Sequence, residues 1–521
     1  MSGECIIIAG YETDVNERLL LSDSVSKTCC KRQYIRYKGS NYFYYDFYSH
    51  ISDMKNFSYY EILSSTVLKL QAQLKDINYN VNIVPCFYKS QNEFLHKLLL
   101  KKPEAAVIQL DYSNNIAPFI RITKYIKELS PNTKIIVSGQ YIFNKFFSSS
   151  IDDWNDLMSI IGADFYVYQN ASDSIIKILL YLKNASCLSL LSYIFMKDKN
   201  NYKLINNSSV PLKIKNKLEL TEKYYNEGIV NFSTSTGCPA KCSFCNFPLK
   251  NSQRTYMKLS EVKEAFDTFK SLGIKTIVFS DDTFNLPTSR FKDILNMLID
   301  GEYKFEWYCY FRIKECDEKI VELMSASGCK GVFLGIESAN NCMLENMNKQ
   351  MTLNDVKKGL KYLKKYNILI MAFFMVGFPG ETKESIEQTI NFINKSQIDF
   401  YTINLWYADE STKIFDKKDD FLLEGKAFKW KHSTMDSITA TNFINKMITQ
   451  INKTWVPNEN FGFQSIPYML SLGFSLNNVI KILELSKELM LNNFNELDET
   501  IRENTIGKLK QIIDGGKNEN I

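Results

Sequence analysis

Three cysteines stand within eight positions in "TSTGCPAKCSFCNFP": Cys238, Cys242 and Cys245, and the next is Cys309. Thiolates are soft ligands for zinc and iron. Four of them close a structural zinc site or complete an iron–sulfur cluster. Three on a four-iron cluster leave one iron without a protein ligand, open to a small molecule. A zinc knuckle or an adventitious group of thiols is the bland alternative, and it lacks a fourth ligand nearby.

The segment around the cluster has a repeating rhythm that must position it. The strand "IVNFSTS" leads into the cysteines. After them, helical periodicity in "LSEVKEAFDTFKSLG" is followed by the strand "KTIVFSDDTFN", and the pattern recurs through "FEWYCYFR", "KGVFLGIES", "NILIMAFFMVGFPGE" and "DFYTINLWYADES". These strands are apolar through their length, as strands buried on both faces of a parallel sheet are. Six βα steps in strict alternation predict a partial (β/α)6 barrel. Polar residues follow each strand, where such folds build active sites, and the cysteines lie in the first βα loop.

The first ~190 residues predict a separate α/β domain with strands "CIIIAG", "NVNIVPC", "AAVIQLD", "KIIVSG" and "DFYVYQ" and helices between most of them, a doubly wound, Rossmann-like sheet. Its ligand is expected at the carboxyl ends of the strands, near Tyr11, Ser113, Gly139 and Asn170. From about residue 436 the chain reads as amphipathic helices. The expected domains are 1–190, a linker 191–225, the barrel 226–420 and a helical C-terminal domain 421–521.

Composition narrows the setting. Of 521 residues 45% are hydrophobic and 23% charged, ordinary for a globular protein. A net charge of +5, from 63 basic and 58 acidic residues, argues for neither nucleic acid nor a membrane surface as partner. The start "MSGECIIIAGYETD" lacks the features of a signal peptide, and the longest apolar run, "ILIMAFFMV", is far short of the ~18 residues of a membrane span. A cytoplasmic protein is expected, where a tight Cys cluster reads as metal-binding and not as a disulfide frame.

The spacing Cys-x3-Cys-x2-Cys, with the aromatic Phe244 before the last Cys, resembles the signature of the radical S-adenosylmethionine (SAM) superfamily. The resemblance implies a 4Fe-4S cluster on Cys238, Cys242 and Cys245. SAM would chelate the open iron and be cleaved by an incoming electron to a 5′-deoxyadenosyl radical, with flavodoxin or ferredoxin as the electron donor. It places SAM contacts at Asp281 and Asp282 of "SDDTF", at Arg312, at Glu337 and Ser338 of "GIES", and at Gly377 of "GFPGE". Carboxylates suit ribose hydroxyls and an arginine suits the SAM carboxylate. For each the bland reading is a residue that caps the next helix or pairs with a neighbour.

An α/β domain ahead of such a barrel resembles a cobalamin-binding domain. The chain's only histidines, His50, His96 and His432, lack the Asp-x-His-x-x-Gly context that ligates cobalt, as in other cobalamin-dependent members. The Tyr-rich stretch "CCKRQYIRYKGSNYFYYDFYSH", "GCKGVFLGIESANNCMLENMNK", "VGFPGET" and "LWYADEST" followed by "WKHSTMD" look like the phosphinate P-methyltransferase family. The chain departs from that family where cobalamin would lie. It has "SGQY" (Ser138, Gly139, Gln140) for a Gly-Gly-Pro turn, and "NASDS" after the fifth strand.

The resemblance implies cobalamin-dependent methyl transfer to an unactivated carbon or phosphorus of a small-molecule or peptide substrate. The alternative is radical modification of another kind, such as epimerisation, cyclisation or rearrangement, on a fold that no longer binds cobalamin. His432 and Tyr407 are expected at the substrate pocket, His432 through the resemblance. Cys309, in the third barrel strand, is a candidate hydrogen-atom donor.

Overall fold

The computed structural model describes residues 3–11, 31–52, 63, 65–87, 92–110, 116–148, 151–183, 188–199, 201–207, 228–246, 254–458, 461–494 and 498–516. The chain divides into two compact units, Met1–Asp14 with Tyr60–Asn226, and Val15–Tyr59 with Glu227–Ile521.

In the first unit, β1 (Gly3–Ile8), β2 (Tyr79–Val84), β3 (Ala105–Gln109), β4 (Lys134–Ser138) and β5 (Phe165–Val167) run parallel in the order β2-β1-β3-β4-β5. This is a doubly wound order whose switch point lies between β1 and β3. Both faces are covered, and every residue of β3 is buried. Ile6, Ile8, Ile108, Phe119, Ile122 and Trp154 share one core. Two strands not foreseen, β6 (Ile194–Asp198) and β7 (Asn201–Ile205), extend the β5 edge as an antiparallel hairpin within the stretch expected to be a linker.

In the second unit, seven strands follow one another in chain order and all run parallel: β8 (Ile229–Phe232), β9 (Thr276–Phe279), β10 (Glu306–Tyr310), β11 (Cys329–Glu337), β12 (Leu369–Val376), β13 (Phe400–Leu405) and the short β14 (Thr454–Trp455). β14 extends the six expected strands. β8 and β14 stay unpaired with each other in the sheet order, so the barrel is open. Helices follow the strands, and their starts are written locally: Thr352 and Thr382 each cap a helix and exchange hydrogen bonds with the third helical residue, Asp355 and Ser385.

The period of two divides each strand between helix layer and barrel interior. Phe232, Phe279 and Trp307 pack outward, Phe232 and Phe279 against Phe266 of the helix Leu259–Ser271. Tyr308, Tyr310, Phe333, Phe373 and Thr402 take the inward face, by the register that pairs their strands.

The Tyr-rich stretch, expected within 1–190, folds with the second unit. It forms a hairpin (Tyr34–Tyr37 with Ser40–Phe43) and a helix, Tyr44–Ile51. The Tyr48 hydroxyl meets Ser486 Oγ at 2.8 Å, and Tyr45 stacks on Phe461. The helices Leu476–Leu491 and Glu499–Gly515 match the expected tail and belong to this unit too. Among the described residues no helix is long and apolar enough to cross a membrane.

Candidate active site

Just after β8, Ser235–Thr236 pairs antiparallel with Thr255–Tyr256, which closes the cysteine loop at its base. Asp281, at the end of β9, braces that base. Its carboxylate accepts from Thr234 N–H (3.0 Å), Thr234 Oγ1 (2.8 Å) and Ser235 Oγ (2.6 Å). The next residue, Asp282, accepts from the N–H of Gly237 at 2.7 Å. Burial raises the pKa of both carboxyls, that of Asp282 to about 6. Gly237 has a φ of 93°, a conformation that favours glycine.

The loop is also held by segments that follow the later strands. Ser243 N–H donates to the Met347 carbonyl (2.9 Å), and the Ser243 carbonyl accepts from Ile414 N–H (3.1 Å). Asn246 bonds to Asp409.

A cavity of about 260 Å³ opens under this loop. Cys238, Cys242 and Cys245 form one side, together with Phe244. Asp282, Arg312, Glu337 and Lys349 supply charge, and Tyr310, Phe333 and Phe373 supply the apolar wall from the barrel interior. No disulfide ties any of the three cysteines. Among the described residues three thiols and no fourth cysteine stand on the walls, and with open space beside them they fit a cluster with one iron left for a ligand.

Two features of this cavity went unread in the sequence. Glu337 sits at a φ of 69°, and the β11–β12 register slips between Gly335 and Glu337. The slip turns the Glu337 carboxylate toward Lys349, whose Nζ lies 3.3 Å from Oε1. Lys349 is 8% exposed, and its ammonium stands 5.7 Å from the centre of the Phe244 ring. The backbone carbonyl of Lys349 accepts from Arg312 at 2.6 Å. The only local signal was a lysine closing the stretch "GCKGVFLGIESANNCMLENMNK". Its return to Glu337 depends on the helix Asn341–Asn346.

Other expected site residues lie elsewhere. Asp281 and Ser338 are outside the cavity lining; Ser338 is fully buried and its hydroxyl accepts from Asn340 N–H. Cys309 does not face the barrel interior. Its neighbour Tyr310 lines the cavity, so strand alternation turns Cys309 to the helix side, where burial pushes its thiol pKa well up. This corrects its assignment as a hydrogen-atom donor.

His432 is not on the cavity wall either. It stacks on Trp430, its Nε2 lies 3.2 Å from the Gly377 carbonyl, and its Nδ1 lies 3.0 Å from Thr434 Oγ1. Burial lowers its pKa. Tyr407 is 53% exposed and packs edge-on against Phe428. Both stand in or beside a three-stranded sheet (Glu424–Lys426, Lys429–His432, Met435–Asp436) that the sequence reading missed.

In the first unit, Tyr11 follows β1. It stacks on Phe87, and its hydroxyl accepts from Arg121 at 2.7 Å. Ser138 is buried at the end of β4. Gly139 has a φ of 120°, and a Cβ there would stand 2.4 Å from the carbonyl oxygen of Leu110, so this strand end admits only glycine. Gln140 opens the helix Gln140–Ser148. Asn170, in a left-handed conformation, precedes the helix Ala171–Leu182. Ser113 lies outside the described residues.

Residues 232–393, from the end of β8 through most of the helix after β12, match the Radical SAM superfamily. The chain carries a radical SAM domain. The cofactors that go with such a domain are a 4Fe-4S cluster and SAM, and the three-thiol cavity stands inside the matched range.

The chain is 32% identical over 185 residues to an uncharacterized methyltransferase of Pyrococcus horikoshii, covering 35% of this chain and 40% of that protein. The chain thus spans well under half the length of this curated relative. Beyond the radical SAM domain the fold is shared with two solved structures. One is the cobalamin-dependent SAM radical enzyme OxsB with aqua-cobalamin bound (TM-score 0.61, 13% identity, 99% of this chain and 77% of that one). The other is the radical SAM methyltransferase TsrM from Kitasatospora setae with cobalamin and a [4Fe-4S] cluster bound (TM-score 0.58, 14% identity, 81% and 75%).

Proposed function

We propose that the chain is a cobalamin-dependent radical SAM enzyme that transfers a methyl group to an unactivated carbon or phosphorus of a natural-product or peptide substrate. The observation that carries this reading is the pairing, in one chain, of a three-cysteine cavity in an open parallel barrel with a doubly wound sheet of order β2-β1-β3-β4-β5. The likeness in fold to OxsB and TsrM supports it.

When bound, the cluster and SAM would supply a carbon radical and the corrinoid a methyl carrier. The chain's own part is placement and the exclusion of water. Cys238, Cys242 and Cys245 would hold the iron. Arg312, Lys349 and Glu337 offer two cations and a carboxylate to the charged end of SAM, and Asp282 suits a ribose hydroxyl. Phe244 would shield the cluster. In the first unit, Tyr11, Ser138, Gly139 and Gln140 lie at the strand ends where the corrinoid is expected, and the absence of a side chain at Gly139 keeps β3 and β4 close there. Flavodoxin or ferredoxin would deliver the electron.

The test is anaerobic reconstitution with iron, sulfide and hydroxocobalamin, then desalting and a count of iron and cobalt per chain alongside assay of 5′-deoxyadenosine. About four irons, about one cobalt and SAM cleavage are expected. SAM cleavage without retained cobalt would replace methyl transfer with another radical reaction. Failure of both iron binding and cleavage would overturn the reading altogether.

A further inference from the structure

Charge is segregated in the barrel of the second unit. Asp282, Arg312, Glu337 and Lys349 all stand on the side of β9, β10, β11 and the turn after it. The inward face of β12 and β13 differs. There Phe373 pairs with Thr402 and Met375 with Asn404. The segment that follows β14 returns against this face. Asn458 Nδ2 donates to Asn404 Oδ1, Phe463 packs edge-on against Phe373 at 4.6 Å, and Gln464 Nε2 donates to the Tyr310 hydroxyl at 3.2 Å. Met375, Asn404, Asn458, Gln464 and Tyr310 are all partly exposed and so within reach of a ligand. Thr402, by contrast, is 3% exposed, and its inward hydroxyl has no hydrogen-bond partner among the described residues.

The hydrogen-bond inventory of this wall is specific. A carboxamide has a double donor and an acceptor. In the Asn404–Asn458 pair one donor and one acceptor are consumed on each other. Both N–H groups of Asn404, the second N–H of Asn458 and the Asn458 carbonyl remain. Exchanging the roles of the two amides leaves the same complement, N–H donors together with one carbonyl that has accepted nothing from the pair. Tyr310, which accepts from Gln464, keeps its own proton to donate.

We propose that Asn404, Asn458, Gln464 and Tyr310 form the substrate-recognition wall, and that it takes a secondary amide, such as a peptide group, carried on an apolar side group seated against Phe373 and Met375. The inference rests on the radical SAM reading for the claim that the ligand is a substrate. A secondary amide satisfies the free donor and the free acceptor together. A carboxylate or phosphinate sets its charge against the Asn458 carbonyl, and an ammonium sets its charge against the Asn404 NH2. A mismatch of this kind leaves a partly buried group unpaired and costs about tenfold or more in affinity.

The experiment uses the full chain with its cluster reconstituted anaerobically. Isothermal titration compares N-acetylphenylalanine N-methylamide with N-acetylphenylalanine and with a phenylalkyl phosphinate. The amide is expected to bind at least tenfold more tightly than either anion. Asn404→Leu and Asn458→Leu are each expected to erase that preference, with iron content and circular dichroism as checks of folding. Should Asn404→Leu lose its cluster, Asn458→Leu decides, since it keeps the size of the side chain and removes the carbonyl that sets the amide against the anions. Equal affinity for the three probes, no measurable binding of the amide, or a preference that survives in the folded variant would overturn the proposal. A wild-type chain that prefers the amide and yet cleaves no SAM would leave this recognition standing and remove the radical SAM reading instead.

Discussion

Glu381 and His432 grip a single residue from its two polar ends: the N–H of Gly377 donates to Glu381 Oε2 at 2.5 Å, and its carbonyl lies 3.2 Å from His432 Nε2. Gly377 has a φ of 94°, and a Cβ there would stand 2.4 Å from the ring of Trp430. The turn after β12 is thus fixed by its own glutamate and by a strand that arrives more than fifty residues later (separation 55). The contact places His432 against the turn.

Loss of that contact should therefore be felt by the whole site. His432→Ala is expected to cost about 1–2 kcal/mol of stability, the cost of leaving the buried Gly377 carbonyl without a partner. SAM cleavage and product formation should fall together in one assay that measures 5′-deoxyadenosine and product. A fall in product alone, with cleavage intact, would return His432 to the substrate side.

Glu381 gives the turn a pH dependence. Burial raises its pKa from the ordinary 4.5 to about 8. The folded chain then holds a proton that the unfolded chain releases, so this group's contribution is fully present below pH 4.5 and is lost as pH rises toward 8. Stability should decline by up to about 1.4 kcal/mol per pH unit across that window, about 2 °C in Tm for a unit of this size. Glu381→Gln, which stays neutral, should flatten the Tm profile between pH 6 and 8. An unchanged slope in the variant would assign the pH dependence to other groups.

Lys349 and Glu337 form a nearly buried pair, their side chains 10% and 11% exposed. Removing one partner strands the other, so Lys349→Met should weaken SAM binding by tenfold or more in equilibrium dialysis and lower Tm. The double variant Lys349→Met/Glu337→Gln should regain most of the Tm while SAM binding stays weak. Recovery of both would mean that the pair serves the fold alone.

Each of Cys238→Ala, Cys242→Ala and Cys245→Ala removes one of three thiols on the cavity wall. Iron content should collapse in each, with loss of SAM cleavage. A triple variant that still bound about four irons per chain and cleaved SAM would disprove the cluster assignment.

Features with a local signal were legible in the sequence. Cysteine spacing at 238, 242 and 245 is covalent arithmetic, and strand and helix periods follow from which faces are buried, so the alternating barrel and the doubly wound sheet could be read residue by residue. Even Cys309 was placed on the right strand; only its face was wrong, and pairing register decides that. Asp281 and Asp282 are adjacent, yet one braces Thr234 and Ser235 while the other lines the cavity. Lys349 reaches Glu337 because a register slip and a left-handed residue turn the carboxylate toward it. His432, Glu381 and Gly377 meet only once the strand Lys429–His432 folds back, and Gln464 meets Tyr310 across 154 positions. Contacts of that kind depend on the relative placement of whole elements, set by the packing of the unit and written in no single stretch of sequence.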